Sequence, residues 1–124
     1  MPTKNEKLKT LLARDREITI SVIGRKSGKS ISRPVWFVLE GDKLYLLPVE
    51  GSDTQWYQNL LHKPWIQVAT RTASAEFQAA LVTDPKIVSS VVEKFRQKYG
   101  AGDVKKYYSK LDVAVVVDFE ATAS

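Results

Sequence analysis

The residues of this chain best suited to chemistry are basic and clustered. Arg25, Lys26, Lys29 and Arg33 fall within Gly24-Arg-Lys-Ser-Gly-Lys-Ser-Ile-Ser-Arg-Pro-Val-Trp-Phe-Val-Leu39, a stretch with two glycines and no acid. Glycines let backbone N–H groups approach an oxyanion, and basic side chains supply the opposing charge. The stretch then turns apolar and β-prone, so its first half reads as a loop between strands and a plausible anion cradle. Aromatic residues form a second concentration. Trp36, Trp56, Tyr57 and Trp65 lie close together in sequence, and Tyr99, Tyr107 and Tyr108 come near the end. Part of this set packs a core. The remainder can wall a flat apolar pocket beside the basic loop, able to stack a ring system whose anionic tail the loop holds.

Other chemistries find little support. Gly24 followed by Gly28-Lys29-Ser30 resembles a nucleotide P-loop, but three residues separate the glycines where the fingerprint needs four. Ile-Ser-Arg-Pro then leads into a strand, where a P-loop requires a helix whose N-terminus faces the phosphates. His62 is the lone histidine, beside Lys63-Pro64 at a predicted helix end, which suits a surface cap. No nucleophile-elbow pattern is present, and no acids or imidazoles have metal-ligand spacing. Any reaction is therefore expected to draw its reactive chemistry from a bound cofactor, with the protein supplying position and electrostatics. Single-stranded nucleic acid also attracts basic and aromatic residues, but its groove wants cations spread along a track rather than gathered in one loop. No nucleic-acid partner is expected.

The elements that must position these residues can be read from pattern. The 124 residues suit a single domain, 1–124, large enough for a core without disulfides, and there is no cysteine. Net charge is +5, which fits either a lysine-rich surface or attraction for an anion. The N-terminus lacks a signal-like apolar core and no apolar run approaches about 18 residues, so a soluble cytoplasmic protein without stable membrane insertion is expected. Residues 5–15 read as a short amphipathic helix with Leu8, Leu11 and Leu12 on one face. Ile18, Ile20 and Val22 alternate with Thr19 and Ser21 as a half-buried strand over 17–23. Further strands are predicted at 34–39, apolar on both faces and so central or covered, and at 44–49, 65–71, 74–82 and 113–119. Glu40-Gly-Asp-Lys43 marks a hairpin. Ser52 or Asp53 is the expected cap of a short helix carrying Trp56, Tyr57, Leu60 and Leu61, which Pro64 ends. Thr83-Asp84-Pro85 opens a longer helix with the stripe Ile87, Val88, Val91, Val92, Phe95 and Tyr99, and Gly100 stops it. Residues 104–110 suit another turn or two of helix, and the tail 121–124 reads as loose. Six strands joined largely by short turns, with flanking helices, predict an α+β, mainly β fold with an antiparallel, closed or partly closed barrel.

Gly24-Arg-Lys-Ser-Gly-Lys, Arg33-Pro-Val-Trp, Gly41-Asp-x-Leu-Tyr-Leu, Gly51-Ser, Trp56-Tyr-x-Asn-Leu60 and Pro64 together resemble the deazaflavin-dependent nitroreductase family, also called nitroreductase/quinone-reductase-like proteins. The match runs in order from about Thr19 to Val68. The resemblance implies a six-stranded split β-barrel like that of flavin-binding pyridoxamine-phosphate-oxidase relatives. It implies the deazaflavin coenzyme F-420, a hydride carrier with a phosphate and polyglutamate tail, and a quinone-like or other activated planar small-molecule acceptor. Arg25, Lys26, Ser27 and Gly28 would hold the tail phosphate with help from Arg33. Pro34, Val35 and Trp36 would lie near the ring or its linker, as would Pro48 and Val49. Trp56 and Asn59 would fix the short helix beneath the site, and Tyr99, Tyr107 and Tyr108 would line the substrate. No catalytic side chain and no metal is implied, and relatives occur as monomers and as homodimers. Glu50 stands where some active members carry a basic residue, which places an acid near an anionic ligand unless its side chain faces solvent. The alternatives are the same fold binding FMN, and a module that binds a cofactor or ligand without turnover.

Overall fold

The computed structural model describes residues 4–13 and 15–119, with side chains from residue 8 onward. The alternation Ile18, Ile20, Val22 makes β1 (Ile18–Ile23), which pairs antiparallel with β2 (Ser30–Val35). This second strand begins four residues earlier than predicted, so Arg33 and Pro34 sit on it, opposite Ile20 and Thr19. The first sheet has the order β2-β1-β5-β6, with β5 spanning Trp65–Ala69 and β6 Ser74–Gln78. Because β2 is an edge, Pro34 costs the sheet no interior ladder bond, and the residues 30–34 are mostly exposed. The 34–39 run is therefore at an edge rather than central, and within it Phe37 and Val38 are the residues that are covered.

After β2 the chain bends at Trp36-Phe37 and continues as β3 (Val38–Glu40), an edge of a second sheet ordered β3-β4-β8-β7. Here β4 is Lys43–Leu46, β7 Ala80–Val82 and β8 Ala114–Asp118. The β6 strand bends likewise at Ala79 and continues as β7. Thus the six predicted strands become eight, because the 34–39 and 74–82 runs each turn a corner from one sheet to the other. A single extended run cannot keep hydrogen-bond register with two sheets of different orientation, so the ladder breaks at the bend. The architecture is α+β with two four-stranded antiparallel sheets that do not close into one continuous barrel. Corner backbone groups still find partners. The Ala79 N–H donates to the Pro64 carbonyl at 2.8 Å, and the Phe37 N–H to the Tyr99 hydroxyl at 3.0 Å.

Between the sheets lie Ile20, Val22, Leu44, Leu46, Ile66, Val68, Val115 and Val117, joined by Leu8 and Leu12 of α1 (Lys4–Leu12) and by Trp56, Tyr57 and Leu60 of α2 (Gln55–His62). A second cluster forms where α3 (Pro85–Tyr99) and α4 (Ala101–Tyr107) cover Val38, Leu47 and Ala114. The predicted α3 stripe is buried apart from Ile87, which is 47% exposed. Asp84 caps α3 by accepting the Lys86 N–H at 2.9 Å, and Gly100, at φ 98°, ends it. The cap of α2 is Thr54, not Ser52 or Asp53, which belong to a 3-10 turn, Gly51–Asp53. The tail 121–124 lies outside the described residues. Among the described residues no helix is long and apolar enough to cross a membrane.

Gly51 pins the start of the site helix. It adopts φ 55°, and a Cβ there would overlap the Asp112 Oδ1 and meet the Lys110 carbonyl at 3.0 Å. Asp112 in turn accepts the Ser52 N–H at 2.9 Å and hydroxyl at 2.6 Å. Gly51→Ala combines a left-handed backbone with overpacking and is expected to cost about 2–4 kcal/mol of unfolding free energy. Urea denaturation measures it; a loss below about 1 kcal/mol would show that the Lys110–Asp112 segment yields freely.

Candidate functional site

The β1–β2 hairpin turn carries the basic cluster, and its conformation follows from its two glycines. Gly28, at φ 70°, donates to the Gly24 carbonyl at 2.8 Å, and Gly24 donates to the Lys29 carbonyl at 2.8 Å. A side chain at Gly24 would collide with the Ser27 Oγ and Ile31 Cδ1, at 2.8 and 2.9 Å. Ser27 Oγ accepts the Lys29 N–H at 3.2 Å. Among the described residues the backbone N–H groups of Lys26 and Ser27 have no acceptor. They are therefore available to an anion.

Arg25 anchors this turn to α2. Its backbone N–H and its guanidinium both donate to Asn59 Oδ1, at 3.1 and 2.7 Å, and the guanidinium also reaches Gln55 Oε1 at 2.8 Å. Both acceptors are neutral, so Arg25 keeps its full charge while its geometry is fixed. Asn59 is only 4% exposed, and its role in positioning the loop follows from that burial. Lys26 and Lys29 are exposed, and Arg33 donates to the adjacent Ser32 carbonyl at 3.0 Å. Among the described residues none of these four cations forms an ion pair with an acid.

Two cavities meet here. One, of about 270 Å³, is bounded by Gly24, Arg25, Lys26, Ser27, Ile31 and Asn59. The other, of about 570 Å³, is walled by Pro34, Val35, Trp36, Leu47, Val49, Tyr107 and Tyr108, with Glu17 and Glu50 on its lining. Arg33, Gln55 and Trp56 line both. The first turn of α2, with no side chain capping it, stands at their junction, where the positive end of its dipole favours negative charge. The combined groove is basic at one end and aromatic at the other.

The structure brings Arg25, Lys26, Ser27, Arg33, Pro34, Val35, Trp36, Val49, Tyr107 and Tyr108 onto this groove, with Gly28 in the turn beside it. Pro48 is buried and leads into the wall residue Val49. Tyr99 is 6% exposed and stands behind the wall, stacked on Trp36 with ring centroids 4.3 Å apart and planes at 6°. Tyr107 and Tyr108 meet the same indole at 5.5 and 6.2 Å. Burial holds the Tyr108 phenol well above the ordinary tyrosine range. Glu50 is exposed on the lining, its backbone fixed by donation to Thr54 Oγ1 at 2.8 Å. Sequence pattern misses Glu17 and Gln55, because neither belongs to a motif; only the fold sets them at the groove.

Electrostatics behind the wall centres on Lys98. Its ammonium donates to the Phe37 carbonyl at 2.8 Å and lies 3.6 Å from the Phe37 ring centroid. Burial, reinforced by Arg16 and opposed by Asp15, draws its pKa down to about 8. A lysine lowered in the folded state binds fewer protons there than in the unfolded chain over the interval from about 8 to the ordinary 10.5. Stability therefore rises with pH across that interval. Tyr57, Tyr99 and Tyr108, all raised chiefly by burial, act oppositely only where unfolded phenols ionise, near pH 10.

Two outcomes are expected. Asn59→Ala strips two acceptor contacts from Arg25 and should lower unfolding free energy by about 1–3 kcal/mol; it should also speed proteolysis within the 24–29 turn, whereas an unchanged cleavage rate would show that the turn holds itself. Thermal melts of the wild type should gain on those of Lys98→Met between about pH 8 and pH 9.5, and parallel curves would refute the lowered lysine.

Comparison with known proteins places the architecture. A structure described as an F-420-H2 dependent reductase (FDR-A) superposes with TM-score 0.65 at 18% identity, covering 83% of this chain and 94% of that one. The heme storage protein HutZ from Vibrio cholerae gives TM-score 0.69 at 12% identity, covering 94% and 89%. A pyridoxamine 5'-phosphate oxidase-type protein from Listeria innocua, so described by its structure, gives 0.66 at 14%, covering 93% and 92%. At such identities the likeness is one of fold. No curated protein matches the sequence. A family profile matches residues 8–117, nearly the whole described chain, and by that match the protein belongs to the DUF2255 family of uncharacterized proteins conserved in bacteria.

Proposed function

We propose that this protein is a flavin-type oxidoreductase that binds the deazaflavin F-420, with the ring in the aromatic cavity and the anionic tail over the 24–29 turn, and reduces a quinone-like planar acceptor. The observation that carries the reading is the pair of joined cavities, one aromatic and one lined by cations that no acid neutralises. The likeness in fold to an F-420-H2 dependent reductase supports it. When bound, the cofactor supplies two-electron hydride chemistry, which fits a groove without a paired acid and base. The chain's own residues bind and orient. The Lys26 and Ser27 N–H groups with the Lys26 and Arg33 side chains hold phosphate oxygens. Trp36, Trp56, Val35 and Val49 enclose the ring and exclude water from one face. Glu50, at the rim, opposes any anionic group in the aromatic cavity and so favours a tail directed toward the turn.

FMN is the second reading. The smaller cavity, about 270 Å³, suits a single phosphate, and Arg25 is already committed to Asn59 and Gln55.

Titration with F-420 and with FMN, followed by tryptophan quenching, should give saturable micromolar binding of at least one. No response to either would overturn the cofactor reading. Lys26→Ala should weaken the bound cofactor by about 1–3 kcal/mol, and Glu50→Gln should tighten it severalfold or less. Loss of reduced-cofactor absorbance on adding menadione separates a reductase from a module that binds without turnover.

A further inference from the structure

Tyr99 does not line the aromatic cavity, yet two contacts tie it to Trp36, which does. Its ring stacks on the indole, and its hydroxyl grips the next peptide in the chain. That hydroxyl accepts the Phe37 N–H at 3.0 Å and lies within reach of two carbonyls, Arg16 at 2.7 Å and Phe37 at 2.8 Å. One hydroxyl hydrogen cannot fully serve both. The Lys98 ammonium donates to the Phe37 carbonyl at 2.8 Å, which leaves the tyrosine hydrogen for Arg16. Both residues stand in the last turn of α3, whose preceding turns are held by the buried Val91, Val92 and Phe95. The Phe37 peptide lies at the bend between the two sheets, where no strand partner fixes it.

We propose that Tyr99 and Lys98 are positioning residues that clamp the Phe37 peptide at this bend and thereby set the tilt of Trp36 as the wall against which a bound ring rests. The clamp stands on the geometry alone; its effect on a ligand rests on the cofactor reading above. The Trp36 indole makes no hydrogen bond among the described residues, so its pose depends on the backbone that carries it and on the faces it meets. Tyr99 supplies both. Three ionisable groups face the Tyr99 and Lys98 clamp. Arg16 and Asp15 come from the segment before β1, Glu17 beside them acts on Tyr99, and the Tyr99 phenol is held above its ordinary range by burial. Within the clamp, Lys98 changes charge near pH 8, where burial has drawn it down.

The test uses the full chain labelled with 5-fluorotryptophan, the Trp36 resonance being assigned from Trp36→Phe. Fluorine spectra of Tyr99→Phe and Lys98→Met should show Trp36 displaced and Trp65 unmoved. The wild-type Trp36 resonance should titrate with a midpoint near 8, and Lys98→Met should abolish that titration. In parallel, F-420 and FMN should bind each variant roughly three- to tenfold more weakly, the range for one lost hydrogen bond. A Trp36 resonance indifferent to both substitutions and to pH overturns the clamp. Displacement with unchanged cofactor affinity overturns its role in the site. If neither cofactor binds the wild type, the cofactor reading falls alone and the resonance still decides the clamp. If Tyr99→Phe does not fold, Lys98→Met and the pH titration carry the decision.

Discussion

The bend at Trp36-Phe37 is the constraint around which this molecule is arranged. There the chain leaves one sheet for the other and loses its ladder partners, so the Phe37 N–H and carbonyl must be satisfied by something else or be buried at a cost of about 1–3 kcal/mol each. The last turn of α3 does this through Tyr99 and Lys98, and the same tyrosine hydroxyl reaches the segment leading into β1. Helix, two sheets and the N-terminal connector thus converge on one residue, Phe37. Packing alone would leave their angles soft, because apolar contacts are non-directional. Directional bonds at the bend fix them, and with them the orientation of the indole beside it.

At the other end of the groove the organising bond is between Arg25 and Asn59. A guanidinium held by carboxylates would present little net charge to a ligand. Here its acceptors are amide oxygens, so the turn is rigid and still electropositive. The acids of this region lie elsewhere. Asp53 and Asp112 engage Lys110 and Ser52 behind the 3-10 turn, where hydrogen bonds from Ser52 outweigh the effect of burial and hold the Asp112 carboxyl below its usual range. Glu17 and Glu50 face the aromatic cavity. The separation of charge along one groove makes it polar from end to end, a property no single residue carries.

Much of the fold is legible in sequence wherever one local rule decides the outcome. The alternation of Ile18, Ile20 and Val22, the turn at Gly41-Asp42, the Asp84-Pro85 start and Gly100 stop of α3 each follow from side-chain periodicity or backbone sterics within a few residues. The corners do not. Residues 34–39 and 74–82 look like single strands because nothing local marks where a run must abandon one sheet for another. Pro34 looks central by hydropathy and is at an edge by topology. Likewise Ser52 and Asp53 look like caps of α2 but belong to a 3-10 turn, where Asp112, sixty residues later in the chain, claims the Ser52 hydroxyl and N–H.

The same division holds for the site. By itself the sequence determined that this chain has an acid-free basic turn with permissive glycines, a surplus of aromatic side chains and no cysteine or paired acid–base set, since residue type alone decides what a side chain can donate, accept or stack. Tertiary structure decided which of these residues meet. It set Trp36 and Tyr107 on one cavity, put Tyr99 behind them, placed Glu17 and Glu50 on the lining, and tied Arg25 to Asn59 across 34 positions. Those choices depend on how two sheets cross and where a helix end lands, which are sums over the whole core.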